Sequence, residues 1–199
     1  MNQEKSKEFF RDVFVEFIEV VIHQVVFLMK IYPDSIFVNR RKFNIPVKMS
    51  NHPWVNNYID QVLETFKKNV ESDNIDFDNI DIVVSNKTRD FRDKFRIEFN
   101  KLHSDIQRIP IYLHRIEMNL ASIVMRLSSA VTSLQVDTRE EEEREWWVEV
   151  STVVGGARQL MQDKEWCLAE TEAVQTKNII PVMAVNIPFK LQIYIETSR

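Results

Sequence analysis

The run VVIHQVVFLM, residues 20–29, constrains the fold most. It closes a helical pattern over residues 3 to 31. Phe10, Val13, Phe14, Phe17, Val20, Val21 and Phe27 recur at three- and four-residue spacing there, with Glu16, Glu19 and Lys30 opposite. The second half is apolar nearly all round, so it has no solvent face and must be buried on several sides. The run is too short to span a bilayer, and His23 and Gln24 interrupt it. A central core helix satisfies both facts, and Pro33 stops it.

The elements that surround this helix follow from the pattern. IFV (36–38) and FNIPVKM (43–49) read as two short paired strands, with NRRK (39–42) as the solvated turn and Pro46 at an edge or bulge. A second helix starts near Pro53, capped by Ser50 or Asn51, with Val55, Ile59, Val62, Leu63 and Phe66 inward. ESDNIDFDN (71–79) is a polar loop. IDIVVSN (80–86) and DKFRIEF (93–99) are antiparallel strands joined around Lys87 to Asp90. A third helix runs from Pro110 to Leu134. DTREEEERE (137–145) is a solvated acidic loop, and WWVEVSTVV (146–154) is a strand. Gly155 and Gly156, the only glycines of the chain, permit positive φ and hinge motion at one point. An irregular segment follows. Residues 187–196 end the pattern as a strand, with Phe189, Leu191, Ile193 and Ile195 inward and Lys190, Gln192, Tyr194 and Glu196 outward. The fold class is α+β, in a single domain over residues 1–199 with a core over 1–154 and a C-terminal segment over 155–199.

Most catalytic chemistry is excluded by residue type. The four histidines, His23, His52, His103 and His114, have no metal spacing, and His23 reads as a satisfied core residue. Cys167 is the only cysteine, so neither an internal disulfide nor a thiolate cluster can form. It reads as a small buried hydrophobe in a chain from a reducing compartment. A lone glycine pair cannot cradle a phosphate. A net charge of −4 argues against a dedicated duplex-DNA binder. The N-terminal MNQEKSKEFF has no signal-peptide pattern. No cofactor, metal, enzyme activity or membrane span is expected. Trp54, Tyr58 and Trp166 suit the core, yet Tyr58 lies on the polar side of its helix and Trp166 in the irregular segment. Aromatic rings so placed suit proline-rich ligands.

The residues themselves carry a resemblance. EFIEV (16–20), YP (32–33), IF (36–37) and RKFNIPVKMSNHP (41–53) resemble the HORMA accessory subunits of DNA polymerase zeta. WCLAE (166–170), IIP (179–181) and KLQIYIE (190–196) resemble the same family. The resemblance is strong at residues 14–66 and 166–196 and weak between 72 and 145. It implies three helices packed on a mainly antiparallel sheet, with residues 155–199 acting as a mobile safety belt that swings at Gly155 and Gly156. It implies that Tyr58 and Trp166, with Leu168 as packing neighbour, contact a proline-containing peptide of the polymerase catalytic subunit.

By the same resemblance Val182, Gln192 and Tyr194 dock the C-terminal domain of the scaffold polymerase of translesion synthesis. Shieldin-type adaptors and a AAA+ remodelling ATPase are further implied partners, with the nucleus and cytoplasm as location. Arg126 matches a basic residue of the family's dimer helix, whereas Ala121 stands where the family carries an arginine of that homodimer contact. The implied function is a non-catalytic adaptor. Two alternatives stay open: a spindle-checkpoint HORMA adaptor, and a nucleic-acid-binding module using Asn39–Lys42.

Overall fold

The computed structural model describes residues 3–71, 77–87, 91–99, 113–134, 143–152, 156–161, 166–169, 178–187 and 189–198. The chain forms two compact units, each made of two separate stretches. One comprises Met1–Lys68 and Leu102–Thr138, the other Asn69–Lys101 and Arg139–Arg199. The boundary expected at 154/155 falls inside the second.

In the first unit, α1 (Gln3–Leu28) packs against the hairpin β1 (Phe37–Lys42) and β2 (Ile45–Ser50) and against α3 (Leu113–Ser133). Every residue from Val20 to Val26 is buried, as the all-round apolar pattern requires. The two polar members of that run are satisfied. The Ser50 backbone N–H donates to His23 Nδ1 at 3.2 Å, and Gln24 Nε2 donates to the Lys48 carbonyl at 3.0 Å. Burial lowers the pKa of His23 to about 4, with the charge of Lys42 adding to the effect. The helix ends in a Schellman motif. Ile31 N–H bonds the Val26 carbonyl, Lys30 N–H bonds that of Phe27, and Lys30 takes the left-handed position at φ 54°. Its ammonium pairs with Asp34 at 2.8 Å and lies 4.7 Å from the Phe27 ring.

The hairpin turn is not at Asn39–Lys42, which lies within β1, but at Phe43–Asn44 between the paired residues Lys42 and Ile45. Both turn residues have positive φ, 48° and 62°, as a two-residue type I′ turn demands. A phenylalanine there costs about 1–2 kcal/mol. Burial of its ring, 6.3 Å from that of Phe17, offsets the cost. Without glycine at the turn, the composition signal pointed to the basic residues instead. Lys42 does not project into solvent either: it pairs with Glu16 at 2.8 Å and Glu19 at 3.6 Å. Burial opposes its charge, but the two carboxylates outweigh it and hold the ammonium above its ordinary pKa. Lys42→Ala should therefore cost about 1 kcal/mol, read from the urea midpoint, and less at high salt. In α2 (Pro53–Glu71) the predicted inward residues Val55, Ile59, Val62, Leu63 and Phe66 are all buried.

The second unit is one antiparallel sheet in the order β5-β3-β4-β7-β6. Its strands are β3 (Phe77–Asn86), β4 (Arg92–Phe99), β5 (Arg144–Thr152), β6 (Asn178–Ile187) and β7 (Phe189–Thr197). Strand periodicity sorts the faces. Ile80, Ile82, Val84, Phe95, Ile97, Leu191, Ile193 and Ile195 are all buried on one. The other carries Asp81, Glu149, Lys94, Arg96, Gln192, Tyr194 and Glu196. The irregular segment expected after Gly156 instead contains α4 (Gly156–Leu160) and the strand β6. Arg144 and Glu145, assigned to the acidic loop, belong to β5; residues 137–142 of that stretch lie outside the described residues.

Candidate functional site

The strand order gives the second unit its distinctive property. β5 and β6 are consecutive in sequence among the described strands, yet they stand at opposite ends of the order. At a strand spacing of about 4.8 Å, the chain must pass from one side of the sheet to the other over about 19 Å. Residues 153–177 make that passage and, with α4 kept helical, could still extend about 70 Å. The connection is far longer than the crossing needs, so it has the length to pass over an additional strand.

Within this connection, Gly156 begins α4, and Gly155 lies outside the described residues. Residues 166–169 are neither helix nor strand. Trp166 is half-buried there, whereas Leu168 is 66 % exposed and so is not the packed neighbour expected of it. Cys167 is also exposed, against the expectation of a buried hydrophobe; the segment has no strand or helix periodicity to turn it inward.

The polar face of the sheet is tied together by charge. Arg96 on β4 donates two hydrogen bonds to Asp81 on β3, both 2.8 Å, and a third to Glu196 on β7 at 2.9 Å. Lys94 bonds Glu149 on β5 at 2.9 Å and stands 3.4 Å from Asp81. Arg92 also pairs with Glu149, and Trp147 Nε1 donates to the same carboxylate at 2.8 Å. Burial pushes Glu149 up, but the bonds from Lys94 and Trp147 and the charges of Lys94 and Arg92 outweigh it and hold the carboxyl below its ordinary range. The hydrogen bonds that Asp81 accepts do most to raise the pKa of Arg96, which stays cationic. One network thus crosses four strands and fixes the C-terminal strand to the sheet.

Tyr194 and Gln192 lie half-buried on this polar face, with the Tyr194 ring 6.0 Å from the Arg96 guanidinium and its hydroxyl 3.3 Å from Glu98. Val182 does not join them. It sits at the bulge between Pro181 and Met183 and is 6 % exposed, so its side chain is no surface contact. Among the described residues of this hairpin, Ile179 is the large exposed hydrophobic one, opposite Glu196 on the polar face. Its signal was the alternation in NIIPVMAVNI, obscured by Pro181.

The remaining assigned residues lie in the first unit. Tyr58 is half-buried on α2. Ala121 and Arg126 do not share a surface. Five residues of helix separate them by about 140°, and Ala121 is buried while Arg126 is exposed. Among the described residues, no group of three His, Cys, Asp or Glu side chains could hold a metal ion, and no helix is long and apolar enough to cross a membrane.

Comparison with known proteins fits this geometry. No family model matches the chain. It is 27 % identical over 199 residues to the zebrafish (Danio rerio) mitotic spindle assembly checkpoint protein MAD2B, covering 93 % of this chain and 89 % of the relative. It is 28 % identical over 201 residues to the Schizosaccharomyces pombe DNA polymerase zeta processivity subunit, covering 93 % and 91 %. Its fold matches a chain in a crystal structure of the mitotic checkpoint complex at TM-score 0.74, with 16 % identity and 95 % and 98 % coverage. It matches Caenorhabditis elegans HTP-2 bound to a HIM-3 closure motif at TM-score 0.60, with 10 % identity and 92 % and 87 % coverage. The fold is that of HORMA domains.

Proposed function

We propose that this HORMA-fold relative of the MAD2B proteins is a non-catalytic adaptor that clamps a proline-containing peptide beneath residues 153–177. The observation that carries the reading is the strand order, in which β5 and β6 stand at opposite ends and a long connection joins them. A peptide added as a strand gains main-chain hydrogen bonds, and side-chain pockets select its sequence. A connection passed over that strand would slow its release. Gly155 and Gly156 serve as the hinge, and Trp166, with exposed Leu168 beside it, faces the captured segment. Tyr58 contributes a ring from α2.

The ligand is a segment of the catalytic subunit of DNA polymerase zeta, a partner supported by the name of the fission-yeast relative. The scaffold polymerase of translesion synthesis docks on Ile179, Gln192 and Tyr194. The adaptor works in the nucleus and cytoplasm, in translesion synthesis and break repair, with shieldin-type adaptors as alternative ligands and a AAA+ ATPase to open the belt. A spindle-checkpoint role is the second reading, favoured by the name of the vertebrate relatives. Direct reading of nucleic acid by Asn39–Lys42 has less behind it, because Lys42 is committed to Glu16 and Glu19.

Isothermal titration of the full chain against overlapping proline-containing peptides of the polymerase catalytic subunit tests the clamp. Trp166→Ala and Tyr58→Ala should each weaken capture by about 2 kcal/mol, roughly 30-fold, with the urea midpoint little changed. Undiminished capture by both variants would remove the assigned site. Pull-down of checkpoint proteins without polymerase segments would select the second reading.

A further inference from the structure

The sheet of the second unit has two end strands, β5 and β6, and only one of them is guarded. An end strand offers a row of unpaired N–H and C=O groups, which proteins blunt with proline and with bulges. β6 has both, at Pro181 and in the irregularity between Pro181 and Met183. β5 runs for nine residues, Arg144–Thr152, without a proline. The irregularity in its pairing falls on β3, between Phe77 and Asn79. Among the described residues β5 pairs with β3 alone, so every second residue turns its backbone groups outward. A strand added there would lie beside the start of the long connection, which leaves β5 at Thr152.

Trp147 stands half-buried on this open strand, on the same face as Glu149 two residues on. Its polar capacity is already used. The indole N–H donates to Glu149 at 2.8 Å, and the Arg92 guanidinium lies 5.5 Å from the ring centre. Glu149 is in turn held by Arg92 and Lys94, so the carboxylate is neutralised within the sheet. A second cation on the ring would be repelled by the first. What Trp147 offers an added strand is apolar ring surface. Side chains directly opposite on one face of a sheet stand about 5 Å apart, and a ring pairs well there with another ring or a β-branched side chain. Glu145 and Glu149 flank Trp147 on its face and disfavour an acidic neighbour.

We propose that Trp147 is a specificity position of the clamp: a peptide captured as a strand on β5 is selected for an aromatic or β-branched side chain beside the Trp147 ring. This rests on the reading that the chain captures an extended peptide.

The probes are synthetic dodecapeptides tiling the polymerase catalytic subunit, titrated into the full chain. In the tightest binder each position is replaced in turn by alanine. One aromatic or β-branched position should lose roughly fivefold in affinity on that change. In Trp147→Thr the same change should make no difference, whereas Trp147→Phe, which keeps a ring, should restore the discrimination. Two readouts on the unmutated chain hold even where the threonine variant fails to fold. Amide exchange should show new protection at the outward amides of residues 144–152 on capture, with residues 178–187 unchanged. The fluorine NMR line of Trp147 in the chain labelled with 5-fluorotryptophan should shift with the parent peptide, and less with the alanine peptide. Protection at 178–187 in place of 144–152, or a silent Trp147 line while the peptide binds, overturns this inference and leaves the clamp standing. Equal losses in the unmutated chain and Trp147→Thr at every peptide position also overturn it. Failure of every peptide to bind overturns both this inference and the clamp.

Discussion

Arg96→Met is expected to destabilise the protein by about 3 kcal/mol, measured as a fall in the urea midpoint at unchanged m-value. The side chain of Asp81 is only 2 % exposed, and Arg96 holds both of its oxygens at 2.8 Å. Removing the guanidinium leaves a carboxylate that water cannot reach. Breaking a buried pair on one side typically costs about 3–5 kcal/mol. The lower end applies because Lys94 remains 3.4 Å from the same carboxylate. Methionine keeps the length of the side chain, so the loss reports charge more than volume. The double variant Asp81→Leu, Arg96→Met should recover most of the loss, since neither charge is then stranded. A loss below about 1 kcal/mol in the single variant would show that the Asp81 carboxylate is not held by this pair. The same change also frees Glu196 and takes the cation from beside Tyr194, so it should weaken the proposed scaffold-polymerase docking beyond its effect on stability.

Periodicity made the buried elements legible. The all-round apolar stretch Val20–Val26, the α2 stripe and the alternation of β4 and β7 each state their burial directly, and the structure follows them. Features set by tertiary context were not legible. A type I′ turn at Phe43–Asn44 has no glycine to announce it and depends on a ring contact with Phe17, which local sequence does not contain. Lys42 looks like a solvated turn residue until α1 brings Glu16 and Glu19 beside it. Strand β6 was hidden by Pro181, which is tolerated because β6 ends the sheet order. The bulge next to that proline inverts the face of Val182 and leaves Ile179 as the exposed position. Of the candidate site, the glycine pair, the Tyr58 and Trp166 rings and the outward Gln192 and Tyr194 stand out in the sequence, and only the resemblance gives them a common role. Neither the half-burial of Trp166 nor the length of the crossing has a local signature.

His23 makes the stability of the first unit depend on pH in a window of its own. Its pKa is lowered from 6.5 to about 4 in the folded chain, first by burial and then by the charge of Lys42. Between those values the unfolded chain binds a proton that the folded chain refuses. Stability should thus fall as the pH drops from about 6.5 to about 4, by about 3 kcal/mol in all. Above the window His23 contributes no slope, and below it both states are protonated and the slope vanishes. Carboxylates act lower or in the opposite sense. Glu149, held below its ordinary value, loses its contribution only as the pH falls under about 4.5. Glu19, raised by burial, takes up its proton more readily in the folded chain and offsets part of the His23 loss. His23→Asn retains an acceptor for the Ser50 N–H, now Oδ1, and removes the titration. Urea midpoints from pH 7.5 to 4.5 should fall in the wild type and run nearly flat in the variant, whatever the variant's absolute stability. Parallel slopes would mean that His23 is protonated in place at pH 5. Its Nδ1 could not then accept the Ser50 N–H, and one of the two bonds described between α1 and β2 would have to be broken without cost to the fold.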